Sequence, residues 1–439
     1  MSFNWNLALL TSLLTLSMNS QAGPREQAKR LFISLTGTSP DSSQLSNVES
    51  KIRSGNIRSA ARDIIDSRNG ITTNGAFYNV TLKDFATPWT NEEGTNLADL
   101  NDVSATVIGV VRDEAFPFNE ILWRNVVYQG DGLVMDSNFS YQSGGNIRFR
   151  DNNDQWVTQS TRYSNSEINF YKGKAALYIP HKDLIIETQE VKSSNNHYKS
   201  LQDLGVDLSD PLILVRKMQN PSIHRDTTAV SGIMSLRAWG EAYYSAGTNR
   251  APVAFSMKNF MCKSMEQLND TSVPDFRNRR DVDRAPGGNS ATYKSLCVGC
   301  HAGMDAMAGA FAYYDFKDGA ISYEHGQVVT KMNHNAIFPD GFITQSDSWM
   351  NLWNQGQNAS LGWGSASSGN GVRSLAQMYS QTNAFKSCMA EQVFEKICLR
   401  KPASTIEKSI VDTLGENFGN DNYNLKNLFI ETAIVCVGE

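Results

Sequence analysis

No window of this sequence sustains the ~20 apolar residues that a membrane-spanning helix requires. An excess of basic residues is missing too. Lys and Arg number 40 against 45 Asp and Glu, a net charge of −5, which leaves no electrostatic footprint for nucleic acid. Cysteine and histidine are scarce, six of each in 439 residues. No second C-x-x-C and no H-x3-H stands in the chain, so spacing alone completes no zinc site. There is no repeat of fixed period, no coiled-coil heptad array and no low-complexity tract.

The longest apolar stretch is short and lies at the start. Residues 7–16 are apolar except for Thr and Ser, and Ser20-Gln21-Ala22 forms a small-x-small cleavage site. That is a secretory signal peptide in outline, although no Lys or Arg precedes its apolar run. The competing reading is an apolar first helix of the fold. No cysteine follows the run, so a bacterial lipid anchor is not indicated. Cleavage after Ala22 predicts an exported, periplasmic chain from Gly23, rich in Asn, Ser and Gly, with no membrane span. Its length suits two domains or one elaborate one.

What is present is concentrated in five residues. Cys297, Val298, Gly299, Cys300 and His301 read C-x-x-C-H, the attachment sequence for a c-type haem. Two thiols one helical turn apart can add to the two vinyl groups of one porphyrin, and the next imidazole can ligate its iron. The motif predicts one covalent haem c, held by Cys297 and Cys300 with His301 as proximal ligand. A thioredoxin-like pair would need a βαβ setting, which is not apparent nearby. A zinc site would need distant ligands, and a plain disulfide is the simplest alternative. The other cysteines, Cys262, Cys388, Cys398 and Cys436, suggest two disulfides with three pairings open. Of these, 388 with 398 is disfavoured, because ten residues of helix would separate them by ~15 Å.

Along the chain, the predicted class is mainly α. Residues 23–125 read as helical. Gly37 stops a first helix, Ser39-Pro40-Asp41 opens a second, Ile57, Ala60, Ala61, Ile64 and Ile65 mark a third, and Val103, Val107, Val110 and Val111 a fourth. Residues 126–225 read as an irregular or β-rich insert, with alternating runs at 147–150 and 168–171. Residues 226–439 read as a helical, cytochrome c-like region. There Ile233, Leu236, Trp239 and Tyr243 share a face, Pro252 starts a helix that Cys262 ends, and Ser290 caps the haem helix. Tyr293, Leu296, Cys297 and Cys300 share the face expected to lie on the porphyrin. Met304, Met307, Ala308 and Phe311 repeat that spacing as core. Three helices close the chain: 384–399, 404–414 and 425–435.

The segment 227–318 resembles the large planctomycete-type cytochrome c-like family. The residues that carry the likeness are Asn249-Arg250-Ala251-Pro252, Met261-Cys262, Cys297 to His301, Met304-Asp305, Gly309-Ala310-Phe311 and Asp315. Residues 30–40 and 385–388 are similar to the same proteins' end segments. The chain departs at the Asp-Pro-x-Gly step, where Ala306-Met307-Ala308-Gly309 stands. The resemblance implies haem, export and a mostly helical fold, and it implies no substrate.

Haem chemistry is decided at the other axial position. Met332 or His334, in a loop about thirty residues on, are the distal candidates, with His325 a weaker one. Met304 and Met307 are too close to round the ring edge without strain. His181, His197 and His224 are read as solvated or core residues. Arg280 and Arg284 are candidate propionate partners, with Asp305 and Asp315 acting through them or tying a backbone turn. Three functions stand: a monohaem electron carrier with a redox partner protein, a haem-dependent oxidoreductase whose insert forms the substrate side, and a non-catalytic binding or scaffold protein stapled by haem.

Overall fold

The computed structural model describes residues 22–130, 194–219 apart from 204 and 212, and 229–438 apart from 335. Between 131 and 193 it describes only five short strands. The signal-peptide stretch, the alternating run at 168–171, His181 and His224 lie outside the described residues, as does the His197 side chain.

The chain is mainly helical with small sheets. The N-terminal helices are α1 (Pro24–Thr36), α2 (Ser42–Arg53), α3 (Ile57–Ile65) and α4 (Asp102–Asp113). Local chemistry sets their ends. Gly37, at φ 68°, terminates α1 in the left-handed conformation. Asp41 caps α2 through the amides of Ser43 and Gln44, and Gln44 returns a bond to the Asp41 amide. The predicted face of α3 is buried at every position but Ile57.

A π turn, Phe77–Leu82, and a short helix, Lys83–Ala86, then lead toward α4. Neither carries a clear periodic pattern. The segment after α4 enters β1 (Val127–Gly130), which pairs antiparallel with β7 (Leu214–Lys217). The insert therefore leaves and re-enters the helical body through one two-stranded neck. Between them run β2 (Gly132–Val134), β3 (Tyr141–Gln142), β4 (Asn146–Arg150), β5 (Trp156–Ser160), β6 (Tyr178–Pro180) and helix α5 (Asn196–Asp203). β4 coincides with the predicted run at 147–150 and pairs with β5.

The second half contains α6 (Arg237–Tyr243), α7 (Ala251–Met261), α8 (Val298–Ala308), α9 (Gly371–Ser380), α10 (Asn383–Cys398), α11 (Thr405–Asn420) and α12 (Leu425–Val437). Ile233, Leu236, Trp239 and Tyr243 are all buried, as their spacing predicts. Pro252 lies in the first turn of α7, and Cys262 ends it at φ 52°. After α8 come two hairpin-like pairs that periodicity did not reveal: β8 (Tyr314–Lys317) with β9 (Ala320–Tyr323), and β10 (Ser348–Met350) with β11 (Ser368–Asn370). The first and last helices share one hydrophobic core, which runs from Ala28 to Val437.

Two cysteine pairs staple this body. Cys262 pairs with Cys388 and Cys398 with Cys436, at Cα separations of 5.2 and 5.5 Å. The first ties the end of α7 to α10, and the second ties α10 to α12. Cys388 and Cys398 lie on one helix and are not paired with each other.

Asp63, in α3, is almost wholly buried and accepts bonds from Lys51, Arg68 and Asn69. Burial pushes its carboxyl up, but those three donors outweigh it and hold the pKa below the ordinary value. A depressed carboxylate stabilises fully above its unfolded pKa of about 3.9 and loses that contribution as pH falls through the lower folded value. Asp63→Asn is therefore expected to cost about 1–3 kcal/mol at pH 7 and to flatten the acid limb of the stability curve. Urea titrations from pH 3 to 7 measure both; curves that stay parallel to the native protein's would refute the assignment.

Candidate functional site

The predicted haem helix is continuous but irregular. Asn289, not Ser290, supplies its cap, accepting the Ala291 amide at 2.9 Å. A short turn, Ser290–Thr292, passes into a π turn, Tyr293–Cys297, and then into α8. The wider π turn breaks the 3.6-residue register immediately before the motif. The expected shared face is split as a result. Tyr293 is buried, with its hydroxyl donating to Asp275 at 2.6 Å and accepting from Asn278 at 2.8 Å, whereas Leu296 is 69% exposed. Cys297 and Cys300 are half-buried, and neither is paired, with the other or elsewhere.

A loop following the Cys262–Cys388 disulfide packs against the motif. The Cys300 thiol lies 3.2 Å from the Met265 carbonyl, and the Asp270 amide donates to the Gly299 carbonyl at 3.2 Å. A methyl group on Gly299 would lie 1.8 Å from Asn269 Oδ1, so the second x of C-x-x-C must be small here. One turn on, a methyl on Gly303 would lie 2.1 Å from the buried ring of Trp353. Gly303→Ala is expected to cost about 1–3 kcal/mol through overpacking, read as a lower urea midpoint at unchanged m-value. An unchanged midpoint would show that the Trp353 ring yields freely.

His301 sits between burial and solvent. Its side chain is 26% exposed, yet Nδ1 is buried and makes no hydrogen bond, so the exposed area belongs to other ring atoms. Nδ1 faces Asp305 Oδ1 at 3.5 Å, one helical turn along α8. Asp305 is buried and gripped from behind. Arg250 donates Nε to Oδ1 at 2.5 Å and Nη2 to Oδ2 at 3.0 Å, and the Arg279 amide donates to Oδ2 at 3.0 Å. Arg250 also forks onto Asp281, at 2.6 and 2.7 Å.

The electrostatics are those of a buried, compensated cluster. Burial pushes the Asp305 carboxyl up, but His301, Arg250 and Arg279 hold it far below the ordinary range. Burial acts against the Arg250 charge too, and the two carboxylates outweigh it and raise its pKa. Arg279, almost wholly buried, is pushed down to about 10 by burial. The Cys300 thiol is pushed up by burial, with Glu266 and Cys297 adding to it, opposite to the lowered thiol of a thioredoxin-like nucleophile.

The distal candidates are placed very differently. Met332 is buried in a small cluster with Ala312, Tyr313 and Val329, and its sulfur lies 3.4 Å from Arg279 Nη1. His334 is exposed just beyond it. His325 lies among the rings of Tyr313 and Tyr323. Met307 is core, bonded by the Tyr379 hydroxyl, and Met304 is buried as well. Of the two propionate candidates, Arg284 is occupied. Its fork donates to the carbonyls of Val282 and Asn278, and its face lies over Tyr293 and Phe338. Arg280 keeps a buried Nε with no bond among the described residues. Asp305 works through Arg250, not through Arg280 or Arg284, and Asp315 pairs with Lys317 and Lys331.

Three segments are bonded together around the turn that precedes the motif: 275–284, 293–297 and 337–343. They carry Phe276, Leu296, Ile337 and Ile343, each 43–69% exposed. Among the described residues, no group of three or more His, Cys, Asp and Glu is disposed to hold a bare metal ion. The Arg250–Asp305 pair, 55 residues apart, escaped sequence reasoning. The i, i+4 spacing of His301 and Asp305 on a helix signals only their own contact.

No family model, curated protein or solved structure matches the chain. Among the described residues, no helix is long and apolar enough to cross a membrane.

Proposed function

We propose that this chain is an exported, periplasmic monohaem protein of c-type cytochrome character that passes electrons to or from a redox partner protein. The observation that carries the reading is a C-x-x-C-H turn whose two cysteines stay free in a chain whose other four cysteines pair. Cys297 and Cys300 would hold the porphyrin by thioethers, and His301 would ligate its iron. When bound, the haem supplies reversible one-electron exchange. Arg280 would face a propionate, and the exposed side chains of Phe276, Leu296, Ile337 and Ile343 would exclude water from the macrocycle's edge. The likeness to the planctomycete-type cytochrome c-like family supports the same reading.

A second reading is favoured by one observation. The Met332 sulfur is already against Arg279, and His334 is exposed, so neither is poised by its surroundings as a sixth ligand. An open sixth position would make a haem-dependent oxidoreductase of the same scaffold, with the insert beyond the β1–β7 neck as its substrate side. Reduced spectra with and without carbon monoxide separate the two: no change means a carrier, and ready binding means an accessible iron. Intact-mass measurement of the chain from a host that builds c-type cytochromes should find one covalent haem. A bare polypeptide mass would end both readings.

A further inference from the structure

The contact between His301 and Asp305 has a use beyond holding the fold, and it rests on the haem reading above. We infer that Asp305 is the positioning residue of His301: its carboxylate accepts the Nδ1 proton, fixes the tautomer and leaves Nε2 to the iron. Three observations support this. Nδ1 is buried without any hydrogen bond, and the Asp305 oxygen 3.5 Å away is the acceptor it faces. That separation is slightly beyond hydrogen-bond range, and a small ring rotation closes it. The carboxylate cannot swing away, because Arg250 and the Arg279 amide hold both its oxygens from the opposite side.

The contacts run in series, from His301 to Asp305, from Asp305 to Arg250 and from Arg250 to Asp281. Arg250 donates to both oxygens of Asp305, and Asp281 shares Arg250 at 2.6 and 2.7 Å. A metal-bound imidazole that donates its other N–H to a carboxylate becomes a stronger donor to the metal. A stronger donor favours ferric over ferrous iron, so Asp305 sets the haem potential low. A purely structural clamp on Arg250 would act on the potential only through its charge, as Asp281 does.

The test compares the haem-loaded full chain with Asp305→Asn and Asp281→Asn, each first checked by intact mass. Asp305→Asn should shift the ferric–ferrous equilibrium toward ferrous at least tenfold, about 59 mV upward for one electron. Asp281→Asn, which removes a charge of the same cluster without touching His301, should shift it less than threefold. Equal shifts in the two variants, or none in Asp305→Asn, would overturn the inference while leaving the haem intact. A native chain that carries no haem would instead bring down the reading beneath it. Should Asp305→Asn fail to fold, the reduced native protein decides by NMR, with carbon monoxide added if the iron is high-spin. A slowly exchanging, strongly downfield His301 Nδ1 proton supports the carboxylate bond, and a proton in rapid exchange with water overturns it.

Discussion

Replacing Cys297 and Cys300 together by alanine should leave the chain from a host that builds c-type cytochromes colourless and at its bare polypeptide mass, while the helical body still folds. The first half follows from the chemistry of attachment, since without either sulfur no thioether forms and no covalent bond retains the porphyrin through purification. The second half follows from the packing. Both cysteines are only half-buried, and Cys300 makes one weak contact, to the Met265 carbonyl. Neither takes part in the two disulfides, and Cys297 packs only at the edge of the core that runs from Ala28 to Val437. Truncating two half-buried thiols should cost no more than about 2 kcal/mol, judged from the apolar area involved. Far-UV circular dichroism and a urea titration of the double variant measure this beside the mass. A variant that keeps covalent haem would contradict the assignment of the two sulfurs. A variant that cannot fold at all would favour the scaffold reading, in which haem mainly staples the structure.

Arg250→Met should destabilise the protein by about 3–5 kcal/mol, although Arg250 is not expected to touch the porphyrin. The magnitude decides between two kinds of ion pair. An exposed pair contributes about 0–1 kcal/mol. Here Asp305 has no exposed side-chain area, and Arg250 is the only side chain within 3.0 Å of its carboxylate among the described residues. Removing the guanidinium leaves that carboxylate buried beside Asp281, with only a backbone amide and the more distant Arg279 and His301 in compensation. Arg250→Lys should recover part of the loss, because an ammonium keeps the charge but cannot fork onto both Asp281 and Asp305. Guanidinium titrations of the three proteins should rank native, lysine, methionine. A loss below about 1 kcal/mol for the methionine variant would mean that the cluster relaxes and hydrates when broken.

Much of the helical skeleton was legible because its signals are local. Gly37, Pro252 and Cys262 mark helix ends whose conformations depend on a few neighbouring atoms, and the apolar face of α3 follows from 3.6-residue spacing. The helix of the C-x-x-C-H motif was legible in position and not in detail. Its π turn coincides with the anchoring of Tyr293 by Asp275 and Asn278, partners 18 and 15 residues away, and Leu296 lies out of the expected face. The hairpin-like pairs after α8 were missed because strands of three or four residues carry too little alternation to register.

By itself the sequence determined the C-x-x-C-H turn, Cys297 to His301, and the mainly helical class, since both depend on residue type at short, fixed spacing. Tertiary structure alone decided which cysteines pair, and that Arg250 grips the Asp305 carboxylate from 55 residues away. Those outcomes depend on which chain segments share a buried site, where an uncompensated charge or donor is costly, and no spacing along the chain encodes that neighbourhood.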